Sequence, residues 1–596
     1  GDRSMVVDLE ALKPDDFGKS TLPAVKKAND IIVYEMHIRD LTNHESSGAN
    51  NKGKYLGVIE PGTTYNDVST GLDHLKALGI THVQILPMYD YNSIDETRLE
   101  DNAFNWGYDP KNYSVPEGSY ATNPFDGRVR VKELRQMVEG LHQSGIGVIM
   151  DVVYNHTALS ADSNLDILMP GYYYRMVDGK FSNGSGTGNE TASERVMVRK
   201  LMVDSLKHWV QTYNIDGFRF DLMGVHDTET MTIIERELRS IKPDIVIYGE
   251  GWTGGGTALP EAQRLVKKNI YQVPGIGAFN DDFRDAIKGH VFEPEGKGFI
   301  AGALGFIESL KFGFVGAGEH PQIKYSQINY SKRAWTQNPS QSVNYVSAHD
   351  NLTLWDKIAV ASPEATEEQR LKMHRLANAM VLTSQGMPFL HAGVEMQRTK
   401  EGDHNSYKSP DSINNIQWQW KVDHADTFAY YQGLIALRKA YPQLRLETQE
   451  DVATRVQFFD HTEASAIKLP ESETLIGMRI VPRMETEASS STEASSSTVQ
   501  ETLLMFFNGS SEDQTINLPQ GQYKLLVDAN MATDKSEVVA LGGEIVVPAT
   551  SALIFAQVPV AAAASTPSGT VIFISVALAL SLLGGGTWYF LKRSKK

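Results

Sequence analysis

The chain has 596 residues, 41% of them hydrophobic, with 56 Lys and Arg against 73 Asp and Glu for a formal charge of −17, and it contains no cysteine. That length exceeds one small domain and leaves room for an α/β barrel of roughly 250 residues or more together with further modules. The missing cysteines exclude disulfide frameworks, thiolate metal sites, iron–sulfur clusters and thiol nucleophiles, and the acidic balance argues against nucleic acid or anionic lipid as the main partner of the bulk of the chain, leaving a neutral ligand as the better fit.

The stretch before residue 31 carries no apolar h-region and begins with Gly1, so no signal peptide is read there. From residue 1 to about 446, short β-branched runs alternate with helical patterns, the mark of βα units. Strands are predicted at IIVYEMHI (31–38), HVQILP (82–87), GVIMDVVYN (147–155), GFRFD (217–221), IVIYGE (245–250), KFGFVGAG (311–318), VNYVSAHD (343–350) and MPFLHAG (387–393). Helical spacing of apolar residues marks intervening stretches such as 198–213 and 367–384. Eight such strands predict an α/β fold, a (β/α)8 TIM barrel over 1–446.

Beyond the barrel the pattern turns to alternating runs, which predicts an antiparallel β-sandwich domain over 447–557. Within it TEASSS occurs twice in succession, and the tract near 486–498 is too polar to bury a core, so a disordered hairpin insertion is expected. Residues 558–569 read as a stalk, and the uncharged run 570–591 has the length of a transmembrane anchor with Trp588 and Tyr589 at one end. The basic tail KRSKK (592–596) places the C-terminus in the cytoplasm and everything upstream outside, so a cell-surface protein with the membrane as a partner is expected. The tail resembles a Gram-positive cell-wall sorting signal, but no Leu-Pro-x-Thr-Gly motif is present, and VPVAA (558–562) and TPSGT (566–570) do not match one.

In such a barrel function sits where strands end at the C-terminal face. Those ends are polar here: Asp151, Asn155 and His156 on the third strand, Arg219 and Asp221 on the fourth, Glu250 on the fifth, His349 and Asp350 on the seventh. One acid at a strand end is ordinarily a cap or a salt bridge, but this many ionisable groups in one cleft are costly without function. Two carboxyls across a glycosidic bond are what a retaining glycosidase needs. The period of two turns Arg219 to the face of Asp221, where its charge would keep that carboxylate ionised as a nucleophile. Glu250, beside Tyr248 and Trp252, has an apolar setting that suits an acid.

DVVYNH (151–156), DGFRFD (216–221), YGEGW (248–252) and VSAHDN (346–351) together resemble, in order and composition, the four conserved regions of the α-amylase clan of glycoside hydrolases. The resemblance implies Asp221 as nucleophile, Glu250 as general acid/base and Asp350 as transition-state stabiliser, with Arg219, His156 and His349 lining the subsite of the reacting glucose. FNWGYDP (104–110) resembles the signature of type I pullulanases, with Phe104 in place of the first Tyr. It implies Tyr108 as an aromatic platform under the sugar, with Trp252 beside the acid. Arg398, Asp403 and Asn405, in RTKEGDHNSY (398–407), are the candidate donor-side sugar contacts.

The segment 157–194 is a Gly-, Ser- and Asn-rich excursion in which the resemblance allows a calcium site; Asn155, Asp162, Asp166 and Asp178 offer oxygens but lack EF-hand spacing, so a solvated loop is expected. The function implied is hydrolysis of α-1,6-glucosidic bonds in pullulan, glycogen and branched dextrins, with no organic cofactor required. An α-1,4-acting amylase or amylopullulanase is the alternative within enzymes, and a surface glucan-binding adhesin the alternative outside them.

Overall fold

The computed structural model describes residues 4–20, 22, 27–483 and 501–559. The predicted hairpin insertion, nearly all of the stalk, the apolar run 570–591 and the basic tail lie outside the described residues. Among the described residues no helix is long and apolar enough to cross a membrane.

Eight parallel strands close into a barrel: β1 (Val33–Met36), β2 (His82–Ile85), β3 (Gly147–Val152), β4 (Gly217–Phe220), β5 (Val246–Gly249), β6 (Gly277–Phe279), β7 (Ser342–Asn344) and β8 (Met387–His391). Val33 of β1 pairs with both His82 and Phe389, which joins the first strand to the last. Every residue of these strands is buried, as expected of a parallel sheet covered on the outside by helices and filled on the inside by side chains. The helices outside carry apolar residues at helical spacing. In α1 (Val196–Tyr213) the buried positions Val198, Met202, Leu206, Trp209 and Tyr213 recur three or four apart, and Asn214 ends the helix in the left-handed conformation. Helix α3 (Glu367–Thr383), further along the chain, starts on a capping box between Thr366 and Gln369.

The sixth strand is not KFGFVGAG. Residues 311–314 belong to α2 (Ile307–Phe314), where Leu310 and Phe314 share a buried face, and the strand is the three-residue Gly277–Phe279. Its glycine and alanine give no β-branched signal, yet it bonds to β5 on one side and β7 on the other. The predicted outer ends of the first, third and seventh strands also leave the ladder early: Ile38 enters a helix, and Val153–Asn155 and Tyr345–Asp350 form the loops that carry the site.

The C-terminal domain is one six-stranded antiparallel sheet of β9 (Val456–Phe458), β10 (Leu475–Ile480), β11 (Thr502–Asn508), β12 (Gln514–Val527), β13 (Val538–Val547) and β14 (Ser551–Val558). The long strands β12 and β13 bring Ile516, Leu518 and Val547 into one apolar cluster with Leu504, Phe506, Leu553 and Phe555, so the single sheet covers its own core in the manner of a sandwich. Its other face, with Met478, Met505, Phe507 and Ile554, joins the main core of the barrel, where Phe507 packs on Phe314 at 4.9 Å between ring centroids.

Candidate active site

The barrel interior is layered. Val33, Ile149, Val246, Val343, Met387 and Phe389 form an apolar cluster, and two residues further along their strands the period of two places Glu35, Asp151 and Tyr248. Arg219 is in register with Asp151 on one side and Tyr248 on the other, and Glu35 with Gln84. A band of polar side chains therefore caps the apolar floor, and its members bond to one another. Tyr248 donates to Gln84 Oε1 at 2.6 Å, and Tyr108 donates to Asp151 Oδ2 at 2.8 Å.

Arg219 is the centre of this band. Its Nη1 lies 3.0 Å from Asp151 Oδ1 and 2.9 Å from Asp221 Oδ1, and its Nη2 lies 2.9 Å from Glu250 Oε1. One buried guanidinium thus joins the ends of β3, β4 and β5. Asp221, the residue after β4, receives a second donor from Asn155 Nδ2 at 2.8 Å, which fixes its carboxylate. Glu250, the residue after β5, accepts the Leu222 N–H at 2.8 Å. Burial pushes the Glu250 carboxyl up to about 8 against the pull of Arg219, and the negative charges of Asp221 and Asp350 add to the rise. Burial likewise pushes Asp151 up to about 6, again against Arg219.

His349 links this centre to the rim. Its backbone N–H donates to Glu35 Oε2 at 2.6 Å, and its Nδ1 lies 2.7 Å from Glu35 Oε1. Burial works against a charged imidazole, but Asp350 and Glu35 outweigh it and push His349 up to about 9. Glu35 is in turn held below the usual carboxylate range: burial raises it, and His349 with Arg219 more than offsets that. The ring of Tyr108 stacks on His349 at 4.9 Å and 16°, with Trp106 edge-on to the same imidazole. Asp350 stands at the mouth with 53% of its side chain exposed, 3.6 Å from His349 Nε2. His156 sits under the Tyr108 carbonyl, 2.9 Å from its Nε2, and burial pulls this imidazole below its ordinary value. Trp252 is half-buried against the interior cluster that contains Phe279.

Asp221, Glu250, Asp350, Arg219, His156, His349, Tyr108 and Trp252 therefore gather at the C-terminal end of the barrel. Arg398 does not line the cleft. It is buried in the scaffold, where its guanidinium donates to Asp40 Oδ2 at 3.1 Å, to the Ala392 carbonyl at 3.0 Å and to the Asn414 carbonyl. Asp403 holds its own loop, accepting from the Asn405 N–H at 2.9 Å and from the Ser409 hydroxyl, while the Asn405 side chain is exposed. The loop reaches the aromatic wall through its backbone, where Trp106 N–H donates to the Tyr407 carbonyl at 3.0 Å.

Three contributors escape the sequence reading. Glu35 is the single acid inside the first apolar run, and a charge in a strand buried on both faces is the signal that could have found it. Lys400 is buried 4.9 Å over the Trp106 ring, with Nζ donating to Ser406 Oγ; burial, with Arg398 nearby, pulls it down to about 7. The Leu222 N–H has no sequence signal. Asp162, Asp166 and Asp178 do not bring their carboxylates together. The grouping of that kind among the described residues is Asp90, Glu96 and Glu117, elsewhere in the chain, where Arg130 pairs with Glu96.

Residues 43–165 match the family model of the α-amylase catalytic domain. The chain is 42% identical over 450 residues to a pullulanase of Bacillus subtilis strain 168, an alignment covering 75% of this chain and 61% of that relative. It resembles the solved pullulanase of Paenibacillus barengoltzii in complex with maltohexaose and α-cyclodextrin, with a TM-score of 0.81, 41% identity, and 93% of this chain and 81% of that one covered. The solved pullulanase of Bacillus acidopullulyticus gives a TM-score of 0.84 at 39% identity, covering 93% of this chain and 64% of that one. The chain thus spans about three-fifths of the length of the B. subtilis relative. With the barrel, the charged band at its strand ends and this degree of likeness over most of its length, the chain belongs to the pullulanases of the α-amylase family of glycoside hydrolases.

Proposed function

We propose that this chain hydrolyses α-1,6-glucosidic bonds in pullulan, glycogen and branched dextrins with retention of configuration. The observation that carries the reading is the shared guanidinium: Arg219 brings the Asp221 and Glu250 carboxyls to one point, and burial keeps the proton on Glu250 at neutral pH. A protonated carboxyl facing a second carboxyl across one point is what double displacement requires.

Glu250 then protonates the bridging oxygen while Asp221 Oδ attacks the anomeric carbon, and the glycosyl-enzyme is opened by water that gives its proton to Glu250. Asp350, exposed at the mouth, presents its carboxylate to sugar hydroxyls. Tyr108 and Trp252 offer half-buried aromatic surface to the apolar faces of glucose, and His156 with charged His349 lines the same subsite. The reaction draws on two carboxyls and water, without an organic cofactor. Support for the α-1,6 linkage comes from the likeness to pullulanases, among them one solved with maltohexaose bound. The apolar run 570–591 and its basic tail support a surface enzyme anchored in a membrane.

Glu250→Gln keeps the size and removes the acid, so kcat on pullulan should fall by roughly two to four orders of magnitude while glucan binding persists. Unchanged turnover would remove Glu250 as the acid, and equal glucan binding without turnover in the unaltered chain would favour the adhesin.

A further inference from the structure

The loops that carry Asp221 and Glu250 meet on a buried ion pair outside the charged band. Arg175, in the excursion after β3, donates from Nη1 to the Val225 carbonyl at 2.8 Å, to Glu190 Oε2 at 3.3 Å and to the Thr257 hydroxyl at 3.4 Å. Its Nη2 donates to Ser193 Oγ at 3.2 Å and to Glu194 Oε2 at 2.9 Å. Glu190 is fully buried, and its other oxygen accepts the Ala258 N–H at 3.1 Å. The pair therefore ties together the excursion, the turn after Asp221 and the loop after Glu250.

That turn, Leu222 to Val225, touches the acid twice. Leu222 N–H donates to the Glu250 carboxylate, and Gly224 N–H donates to the Glu250 carbonyl at 2.9 Å. Leu222 does so at a φ of 41°, in the left-handed region that a leucine keeps only when its surroundings hold it there. The surroundings are close: a Cβ at Gly224 would lie 2.4 Å from the Trp252 carbonyl, and one at Gly254 would lie 2.1 Å from the Ser185 carbonyl of the excursion. Arg175 grips the far end of the turn at the Val225 carbonyl, and Arg264 Nη1 donates to the Gly224 carbonyl at 3.4 Å.

We propose that the Arg175–Glu190 pair is a positioning device for Glu250, acting through the Val225 carbonyl on the turn that aims the Leu222 N–H at the acid. It also gives the excursion a cation of its own, a guanidinium between two carboxylates. The charged and titratable groups around the pair are Glu194, His226 and Arg264, and those facing Glu250 are Arg219, Asp221, Asp350 and Tyr345. The inference rests on the reading of Glu250 as the acid, and its test does not need turnover.

An N–H aimed at a carboxylate favours the ionised form, so loosening the turn raises the Glu250 titration midpoint. The test is a carboxyl carbon-13 titration of the full chain labelled at glutamate, with Glu250→Gln supplying the assignment. In Arg175→Ala the midpoint should move up by about half a pH unit or more. Arg175→Lys keeps the charge but cannot fork to Val225 and Glu194 together, and it should move the midpoint the same way by less. If Arg175→Ala does not fold, Arg175→Lys and Glu190→Gln decide by the same criterion. A folded variant whose midpoint matches the unaltered chain would overturn the proposal. An unaltered chain that titrates as described but releases nothing from any α-glucan would overturn the debranching reading and leave this one standing.

Discussion

Burial and the Arg219 guanidinium compete over the protons of Asp151 and Glu250, both of which contact it. Glu250 shows the competition most plainly: burial wins over the guanidinium, and its proton is held to about pH 8. Because the acid must be protonated to act, kcat/KM on pullulan should decline as pH rises through about 8, and a profile flat to pH 10 would contradict the assignment. The same shift has a stability consequence. A carboxyl raised on folding binds its proton more tightly in the native state, so its effect on stability turns unfavourable as pH rises above the unfolded value of about 4.5. Glu250→Gln should therefore melt higher than the unaltered chain at pH 8 and differ little at pH 4, as read by calorimetry at the two values. At this scale the motif residues were legible because strand period and loop position fix where they point. Glu35 and Lys400 were not, since their charges are made tolerable by His349 and by Trp106, partners distant in sequence.

The elements follow from apolar periodicity wherever they are long. The helices over 196–213 and 367–383 and most barrel strands fall where the pattern predicts. The sixth strand does not, because three residues, two of them Gly and Ala, carry almost no local preference and are held by their neighbours on both sides. The run mistaken for it is aromatic-rich but packs as a helix, and Gly313 shows why the sequence is specific there. A Cβ at that position would lie 2.0 Å from the Phe283 ring. Ala in place of Gly gains about 1 kcal/mol of helix propensity, whereas overpacking a filled core costs about 1 to 3 kcal/mol. Gly313→Ala should therefore lower stability, measured as a reduced denaturant midpoint with little change in slope; a raised midpoint would show that the ring can move aside.

At the scale of the molecule, the barrel and the β domain share one continuous apolar core. Met478, Met505, Phe507 and Ile554 from the sheet lie in the same cluster as Phe314 and the other barrel residues. Phe507→Ala would leave a void between the two and should cost about 3 to 5 kcal/mol, seen as earlier unfolding of both in chemical denaturation. Separate transitions with only the β domain weakened would contradict a shared core. The sequence pattern separates the two domains by their change of period but says nothing of the contact, because both faces of the sheet read as apolar. The balance of −17 also acquires a place: several of the 73 acids form the charged band that a neutral sugar chain would meet. The central claim is retaining cleavage of the α-1,6 linkage, and proton NMR of pullulan with the enzyme during the first minutes of reaction tests it most directly. The account predicts maltotriose appearing as the α-anomer before mutarotation; panose or isopanose would move the cleavage to α-1,4 bonds, and a first-formed β-anomer would contradict the double displacement.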